Sequence, residues 1–424
     1  MVAIKRDHGM QTSIAKRNYW LLSGALLTFF LTWSFCFSIF SIWLEQFVGL
    51  NGEERGVVFS LGAFCALFIL PVYGYLQDKL GLKKHVLFFI SGLLIFVGPF
   101  AIYLYSPLLK SNVWLGGALG GVYFGLAFSA GVGVIESYVD RVGRMTGFEF
   151  GKARMWGSIG WAIAAFFTGK IFNVNPDLNF WLASLSGLIF LLCISFVVPA
   201  TSSRDESIFD KASAALNVSD VLKLFKNRQF LAMAVYVIGV TTVYGVYDQQ
   251  FSTYFASVFP SKEEGNAMYG YLNSLQVMLE ALGMFLAPFI VNRIGAKNGL
   301  ILAGAIMALR IIGSGFADDS YSISFMKLLH AAELPIMLIA IFKYISATFE
   351  EHLSATIYLV GFVFMAQIGA AVLSIGVGMM YDQLGFQLSY KILGSVVAFF
   401  VLVSWVLLTN EKKHSKVVAE SITV

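Results

Sequence analysis

Apolar stretches of about 20 residues recur along the whole chain and dictate its fold. A helix needs about 20 apolar residues to cross a bilayer, whereas a strand of a membrane barrel needs only about 10. The sequence therefore predicts an all-α membrane protein with twelve spans. They are placed at 19–47, 56–76, 85–106, 113–137, 154–173, 179–199, 230–258, 268–291, 298–316, 322–347, 354–380 and 388–409.

The composition agrees with this prediction and excludes several functions. Only 13% of the 424 residues are charged and 58% are hydrophobic, whereas soluble domains carry about 25% charged residues. The formal net charge of +4 is carried by short loops, so it does not indicate nucleic-acid binding. The sequence has no Walker motif, no Ser/His/Asp set and no metal-ligand spacing among its cysteines. We therefore expect neither an ATP-driven pump, nor an enzyme, nor a metal site.

The longest polar stretch divides the chain into two similar halves. We predict an N-terminal six-helix bundle at 1–200, a cytoplasmic linker at 201–228 and a C-terminal six-helix bundle at 229–424. Most of the 29 Lys and Arg residues fall in alternate connections, together with both tails and the linker. The positive-inside rule then places both termini in the cytoplasm. The polar N-terminal segment is interpreted as a retained tail, and the location as a bacterial-type inner membrane.

Two connections at equivalent places in the halves look alike. The stretch 74–84 follows span 2, and 291–298 follows span 8; both combine an acid or amide, a base, an apolar residue, Gly and another base. A tight turn needs the glycine, and the charges suit helix ends. Two six-span halves with a repeated loop suggest the major facilitator architecture, with substrate bound between the halves at the membrane midplane. The predicted gating positions of the first loop are Gly74, Asp78 and Gly81.

Ionisable residues inside the spans are the strongest indication of function, because each costs roughly 3 kcal/mol or more at membrane depth. Three of them recur every third residue in span 10, along one helix stripe. They predict proton-transport chemistry, although pairing for helix assembly is the alternative. The full set is Glu136, Arg154, Asp248, Glu280, Arg310, Lys327, His330 and Glu333.

Glu136 and Arg154, at the facing ends of spans 4 and 5, are the candidate sugar clamp. Arg offers a rigid fork of donors to hydroxyl groups and Glu accepts from them. Trp161 lies two turns after Arg154 and offers an aromatic face to a sugar ring. The alternatives are a salt bridge that pins two helix ends, charges that are merely solvated near the boundary, and simple packing of the indole.

The second half adds two further polar rows. Tyr244 and Asp248 lie one turn apart on span 7, and Asp248 is the expected counter-charge of Lys327 or Arg310, with purely structural pairing equally open. Asn273, Gln276 and Glu280 form a stripe on span 8 that we expect to face the cavity, with packing as the alternative.

Four strings carry a resemblance to a known family. The strings 148–157, 247–251, 310–314 and 354–359 are similar to those of the oligosaccharide/proton symporters of the major facilitator superfamily, the group of the lactose and sucrose permeases. The resemblance extends from Asn18 to about Thr409. It implies a sugar substrate co-transported with a proton, no other cofactor, the bilayer as the setting and no need for more than a monomer.

The resemblance also implies residue roles. Glu136 and Arg154 would clamp the sugar and Trp161 would stack on it, while Asn273, Gln276, Glu280, Tyr244 and His330 complete the substrate site. The roles implied for proton coupling fall to Tyr244, Asp248, Arg310, Lys327, His330 and Glu333, with Glu333 as the proton carrier and Lys327 and Asp248 as a charge pair.

Two departures concern the choice of sugar. Lactose permeases carry an Asp and a Lys where this chain has Gly245 and Ala366, and a Glu where it has Val277. The carboxylate here is Glu280, about 5 Å along the helix, in a string similar to the sucrose-transporting members. We therefore expect sucrose. A galactoside symporter, an uncoupled sugar facilitator and a non-transporting sugar sensor are the alternatives.

Overall fold

The structure is a computed structural model that describes residues 2–80, 83–198, 224–350 and 353–409, with the side chains at 2–13, 77, 78, 80 and 355 left undescribed. Every regular element in these ranges is helical. The first half contains α1 (Ile14–Val48), α2 (Gly52–Leu80), α3 (His85–Ile95 and Val97–Ser111, bent by 48°), α4 (Val113–Thr146), α5 (Phe150–Val174) and α6 (Pro176–Phe196).

The second half repeats this sequence of six helices. It contains α7 (Arg228–Ser257), α8 (Lys262–Ile294), α9 (Ala296–Ser314) and α10 (Ser320–Thr348). The last helical stretch, Tyr358–Leu407, is divided by Gly385, whose φ of 76° is left-handed and ends a helix. We call the part before Gly385 α11 and the part after it α12.

The predicted twelve spans are confirmed in the described ranges. Nine helices there are long and apolar enough to cross a membrane, and the bent pair of α3 makes a tenth. Dividing Tyr358–Leu407 at Gly385 adds another span. The remaining one is α5, a 25-residue helix that carries Lys152, Arg154 and Lys170. Basic residues lower its hydropathy, which is why composition alone identifies it less readily.

Local sequence explains where several helices begin. Asn112, Asn175, Asn227, Ser261 and Asp319 each precede a helix, and each side chain accepts a hydrogen bond from a backbone N–H of the first turn. These residue types are preferred N-caps because they satisfy donors that the helix itself leaves unpaired. The caps allow the short connections that force consecutive helices to run antiparallel.

The predicted gating loop is only partly within the described residues. Gly74 lies inside α2, which continues to Leu80, so it is helical rather than part of a turn. Gly81 and the side chain of Asp78 lie outside the described residues. Most of the predicted linker, 201–223, does so as well, and the proposed domain division therefore stays a prediction.

The halves meet most closely through α2 against α11 and α5 against α8. Glycines permit this approach. A Cβ on Gly169 of α5 would collide with the backbone of Asn266 on α8, and one on Gly378 of α11 would collide with Gly52. Helices in membranes pack closely where small residues let backbones approach. These contacts lie toward the end that carries the connections 49–51 and 258–261, which we call the closed end.

Polar contacts seal the same closed end. Asp382 of α11 accepts hydrogen bonds from the backbone N–H groups of Gly52 and Glu53, each at 2.8 Å, and so caps α2 from the opposite half. Arg55 donates to Gln250 at 2.9 Å, and Gln250 donates to the Gly52 carbonyl at 2.9 Å. With the orientation predicted from loop charge, this closed end faces outward from the cell.

Replacing Asp382 with Ala should shift the protein toward opening at the closed end. The cap is lost, and a helix cap of this kind contributes about 1 kcal/mol, equivalent to about a fivefold change in an equilibrium. A single cysteine replacing Ser158 in the cavity, with the native cysteines removed, should react about fivefold faster with an impermeant maleimide from that side. Glu263→Ala, at an exposed carboxylate of the same end, is the control. Equal labelling rates in the parent protein with the cavity cysteine, in its Asp382→Ala variant and in its Glu263→Ala variant would contradict a role for Asp382 in sealing the closed end.

Candidate functional site

A cavity of about 450 Å³ lies between the two halves. Its size is in the range of small-molecule binding sites. The first half contributes aromatic and polar side chains from α1, α2 and α5, and the second half contributes mainly polar ones from α7, α8 and α10. The predicted residues on its wall are Arg154, Trp161, Asp248, Asn273, Gln276, Glu280 and His330.

Glu136 and Arg154 form an ion pair between α4 and α5, with Arg154 Nε donating to Glu136 Oε1. Their side chains are only 30% and 32% exposed. The helix α4 continues to Thr146, well beyond the predicted end at 137, so Glu136 lies inside a helix. The alternative that they are solvated loop charges is therefore wrong. Arg154 lines the cavity, and its guanidinium lies 4.3 Å from the centre of the Phe30 ring. Glu136 is not among the residues of the cavity wall and pairs with Arg154 from α4.

Trp161 lies on the cavity wall on the same face of α5 as Arg154, as the seven-residue spacing predicts. Its ring meets Trp33 edge-on at 5.7 Å between centroids. Ser34 donates to the Trp161 carbonyl at 2.9 Å and fixes α1 against α5. Ser158, one turn after Arg154, lines the cavity between them. The wall thus combines a cation, a hydroxyl and an aromatic surface.

The predicted stripe on α8 faces the cavity. Asn273, Gln276 and Glu280 all line it, together with Val277. Gln276 donates to Glu280 Oε1 at 2.8 Å. Glu280 Oε1 also lies 3.5 Å from His330 Nε2 on α10. The carboxylate is thereby held toward the proton-coupling candidates on α10 while remaining 18% exposed.

Arg310 of α9 is the centre of the polar network in the second half, and it is 1% exposed. Its guanidinium donates to Asp248 at 2.9 Å, to Glu333 Oε1 at 3.1 Å and to the Tyr244 hydroxyl. Its Nε donates to the carbonyl of Met326 at 3.0 Å. Five donors in a planar fork allow one guanidinium to join α7 and α10 in this way.

The three residues in span 10 contact three different neighbours, because each step of three residues rotates a side chain by about 60° around a helix. Leu329, which lies between Lys327 and His330, keeps helical φ and ψ of −58° and −23°. Lys327 faces α8, His330 lies at the cavity, and Glu333 is 0% exposed against Arg310.

The expected pair between Lys327 and Asp248 is not formed in this conformation. Asp248 pairs with Arg310, which was the other partner expected for it. Lys327 instead donates to Gln276 at 2.9 Å and to Asn273 at 3.3 Å, and its ammonium lies 4.1 Å from the centre of the Tyr269 ring. Amide oxygens and an aromatic face satisfy the buried cation in place of a carboxylate.

His330 connects the cavity with the buried network. Its Nδ1 lies 3.0 Å from Glu333 Oε1 and contacts the Tyr244 hydroxyl. The Tyr244 ring stacks on the imidazole and lies behind it, so Tyr244, predicted to bind substrate, contacts the buried network rather than lining the cavity. A continuous chain of polar contacts therefore leads from Glu280 through His330 to Glu333 and Arg310.

Several wall residues were not predicted. Ser158, Gln249, Ser252 and Tyr269 line the cavity but carry no charge. In the sequence they are ordinary polar or aromatic residues of apolar helices. Their positions relative to Arg154, Asp248 and Asn273, one turn or less away in each case, are the only signal that could have identified them.

Comparison with known proteins identifies the family. Residues 11–422 match the family model described as LacY proton/sugar symporter. The chain belongs to this family. Among its relatives, the raffinose permease of Escherichia coli is 41% identical over 91% of this chain and 92% of its own length. The sucrose permease of Escherichia coli is 39% identical over 97% and 99%. The lactose permease of Klebsiella oxytoca is 42% identical over 89% and 91%.

Solved structures agree on the architecture of this LacY-family member. The nucleoside transporter NupG superposes with a TM-score of 0.76 over 92% of this chain and 98% of that one, at 16% identity. The likeness at this identity shows the fold alone, which is the twelve-helix major facilitator fold. The chain is thus a multi-pass membrane transporter for sugar and, like its permease relatives, not an enzyme.

Proposed function

We propose that this LacY-family transporter takes up a disaccharide, with sucrose as the expected substrate, together with a proton by alternating access. One observation carries the proposal. A single cavity between the halves has Arg154 and Trp161 on one wall and Glu280 and His330 on the other. Directly behind His330 lies a wholly buried carboxyl group, Glu333. A sugar site and a proton site this close would both shift the equilibrium between the two states that open to opposite sides of the membrane. The effect of sugar on proton binding then equals the effect of the proton on sugar binding.

The first half is assigned to sugar binding. Arg154 is fixed by Glu136 and by the face of Phe30, so its remaining donors point at a defined place in the cavity. Trp161 supplies the flat surface for the apolar face of a sugar ring. A preorganised clamp loses little conformational entropy on binding, which favours affinity.

The second half is assigned to proton coupling. Glu333 contacts Arg310 and His330 through one oxygen only. Its Oε2 is buried and makes no hydrogen bond within the described residues. We assign the transported proton to Glu333, because it is the buried carboxyl group at the end of the chain of polar contacts that begins at the cavity. We assign Arg310 to the positive charge that favours proton release when the halves rock, and Asp248 to the counter-charge of Arg310.

The choice of sucrose is supported by the position of the acceptor. Glu280 and Val277 both line the cavity, so a carboxylate one turn from the lactose-permease position still reaches a bound sugar. Gly245 and Ala366 are uncharged, so Asp248 is the charged residue that α7 contributes to the cavity wall. The relatives are named for raffinose, sucrose and lactose at almost equal identity, so a galactoside remains the second candidate.

Transport into proteoliposomes tests the proposal. With an inward proton gradient, labelled sucrose should accumulate above its external concentration, and a protonophore should collapse the accumulation to equilibrium. Unlabelled melibiose, lactose and maltose should compete less well than unlabelled sucrose. Equilibration without accumulation would favour an uncoupled facilitator, and no sugar movement with intact binding would favour a sensor. Stronger competition by lactose than by sucrose would assign the protein to galactosides.

A further inference from the structure

A row of side chains on α1 runs alongside α5 and ends at the cavity between the halves. Phe30, Ser34 and Ser38 follow one another at intervals of four residues, and the Ser38 backbone N–H donates to the Ser34 carbonyl at 2.9 Å, so the row lies on one helix face. Phe30 packs against the guanidinium of Arg154. Ser34 lies 2.9 Å from the Trp161 carbonyl. Ser38 lines the cavity and therefore extends the wall that α5 provides.

Close packing fixes this row against α5. A Cβ on Gly160 would collide with the carbonyl of Leu27, and a Cβ on Gly157 would lie 2.7 Å from the ring of Phe30. Helices in membranes approach this closely where the residues at the contact are small. The serine side chains of the row are thereby held at defined places, so little conformational freedom is lost when a ligand binds to them.

The row places Ser38 at the far end of the wall from Arg154. Eight residues of helix, or about 12 Å, separate Ser38 from Phe30, which packs against that guanidinium. Ser38 also lies one turn beyond Ser34, and hence beyond Trp161, in the direction of the closed end. A sugar ring that stacks on Trp161 therefore has the guanidinium on one side and the Ser38 hydroxyl group on the closed-end side.

The hydroxyl group of Ser38 can only accept a hydrogen bond from a ligand. Ser34 has a single hydroxyl proton, and the Trp161 carbonyl has none, so Ser34 donates its proton to that carbonyl. Ser34 Oγ also lies 2.7 Å from Ser38 Oγ. Because the proton of Ser34 is already used, Ser38 is the donor in this second contact. The Ser38 oxygen thus offers the cavity lone pairs but no proton.

This restriction distinguishes Ser38 from the other polar groups of the same wall. The Arg154 guanidinium carries donors only. Ser158 makes no hydrogen bond within the parts of the chain that the structure describes, so its hydroxyl group can donate or accept. The first half therefore presents fixed donors at one end of its wall and a fixed acceptor at the other. A site with a fixed partner for a hydroxyl group discriminates against ligands that lack that group.

We propose that Ser38 determines substrate specificity by accepting a hydrogen bond from one sugar hydroxyl group on the closed-end side of Trp161. The proposal rests on the proposed sugar-transport function and adds a specificity-determining residue to it. Ser38 makes no contact with the polar network around Arg310 among the described residues. Its loss should therefore weaken sugar binding and leave the accumulation ratio at saturating sugar unchanged.

Sucrose analogues with one altered hydroxyl group provide the test. A deoxy analogue lacks the hydroxyl group, and the matching deoxyfluoro analogue carries a fluorine that cannot donate. Affinities are measured by displacement of labelled sucrose in membranes that contain the wild type, Ser38→Ala or Ser23→Ala. Ser23 is a buried serine of the same helix that does not line the cavity, so Ser23→Ala is the matched control.

Ser38→Ala should bind sucrose roughly fivefold more weakly than the wild type, as expected for one hydrogen bond between uncharged groups. At one position of the sugar, the deoxy and the deoxyfluoro analogue should both bind the wild type roughly fivefold more weakly than sucrose does. Ser38→Ala should bind these two analogues as well as it binds sucrose, because the missing hydroxyl group no longer has a partner. Ser23→Ala should behave as the wild type.

The same assay separates failure of this assignment from failure of the function. An equal loss of affinity for sucrose and every analogue in Ser38→Ala, or no loss for sucrose, would overturn the role of Ser38. A deoxyfluoro analogue that binds the wild type as tightly as sucrose at the affected position would contradict the acceptor role. If Ser38→Ala does not reach the membrane, Ser38→Cys, whose sulfur is a weak acceptor, should give the same pattern with a smaller loss. Binding of no sugar by the wild type would instead overturn the proposed function, and binding of lactose in place of sucrose would transfer the comparison to deoxy and deoxyfluoro lactose.

Discussion

Glu333→Gln should abolish accumulation of sugar against a gradient and leave exchange of sugar across the membrane intact. Glutamine resembles the neutral acid in size and hydrogen bonding, so the buried contacts with Arg310 and His330 survive. Its amide does not ionise, so no proton is bound and released at this position and the membrane potential can no longer drive uptake. A potential of 100 mV supplies about 2.3 kcal/mol per charge, or roughly a 50-fold concentration ratio. In the variant, the internal sugar concentration should therefore not rise above the external one.

The measurement is labelled-sugar uptake in energised cells, with exchange measured in parallel. Glu149→Gln, at an exposed carboxylate paired with Lys152 on α5, is the control and should accumulate sugar normally. If the variant lost both exchange and accumulation, it would be damaged in sugar binding or in the rocking of the halves. Normal accumulation in Glu333→Gln would remove Glu333 from the coupling mechanism.

Arg154→Ala and Glu136→Ala should each eliminate high-affinity sugar binding. A hydrogen bond between Arg154 and a sugar hydroxyl group contributes about 1.5–3 kcal/mol, and removing Glu136 releases the guanidinium from its fixed position, so the Kd should rise at least about tenfold. Arg154→Lys should fail as well, because a single ammonium group cannot bond to Glu136 and present a fork of donors to hydroxyl groups at once. Binding measured by displacement in membranes separates this loss from a defect in coupling.

A surface ion pair on the same helix is the matched control. Asp140 and Arg144 lie one turn apart on α4, with side chains 37% and 59% exposed. Exposed pairs contribute little, so Arg144→Gln should bind sugar with wild-type affinity. Unchanged sugar affinity in Arg154→Ala would contradict the clamp and leave the pair with a purely structural role between α4 and α5.

The spans could be predicted because the hydropathy of a segment depends only on the residues within it. The same holds for the stripe on α8 and for Arg154 with Trp161, whose side chains share a face by helix periodicity alone. The end of α4 was misplaced because residues 138–146 are amphipathic rather than apolar, so composition ends the span before the helix ends.

Tertiary contacts could not be predicted in the same way. Spacing of three residues places Lys327, His330 and Glu333 on a stripe that drifts around α10, and which neighbour each of them meets depends on how α8 and α9 pack against it. The choice of Arg310 over Lys327 as the partner of Asp248 depends on how α7, α9 and α10 pack. The cross-half pair of Arg55 and Gln250 joins residues 195 positions apart. No local pattern connects them, because Arg55 lies in the polar connection between the predicted spans 19–47 and 56–76.

The central claim is that sugar and proton move together through one cavity, and it is tested most directly by the pH of the medium. Sugar is added to a lightly buffered suspension of de-energised cells that express the protein. The account predicts alkalinisation of the medium on addition of sucrose, absent with Glu333→Gln and abolished by a protonophore. Entry of sugar into wild-type cells without any change in external pH would contradict it.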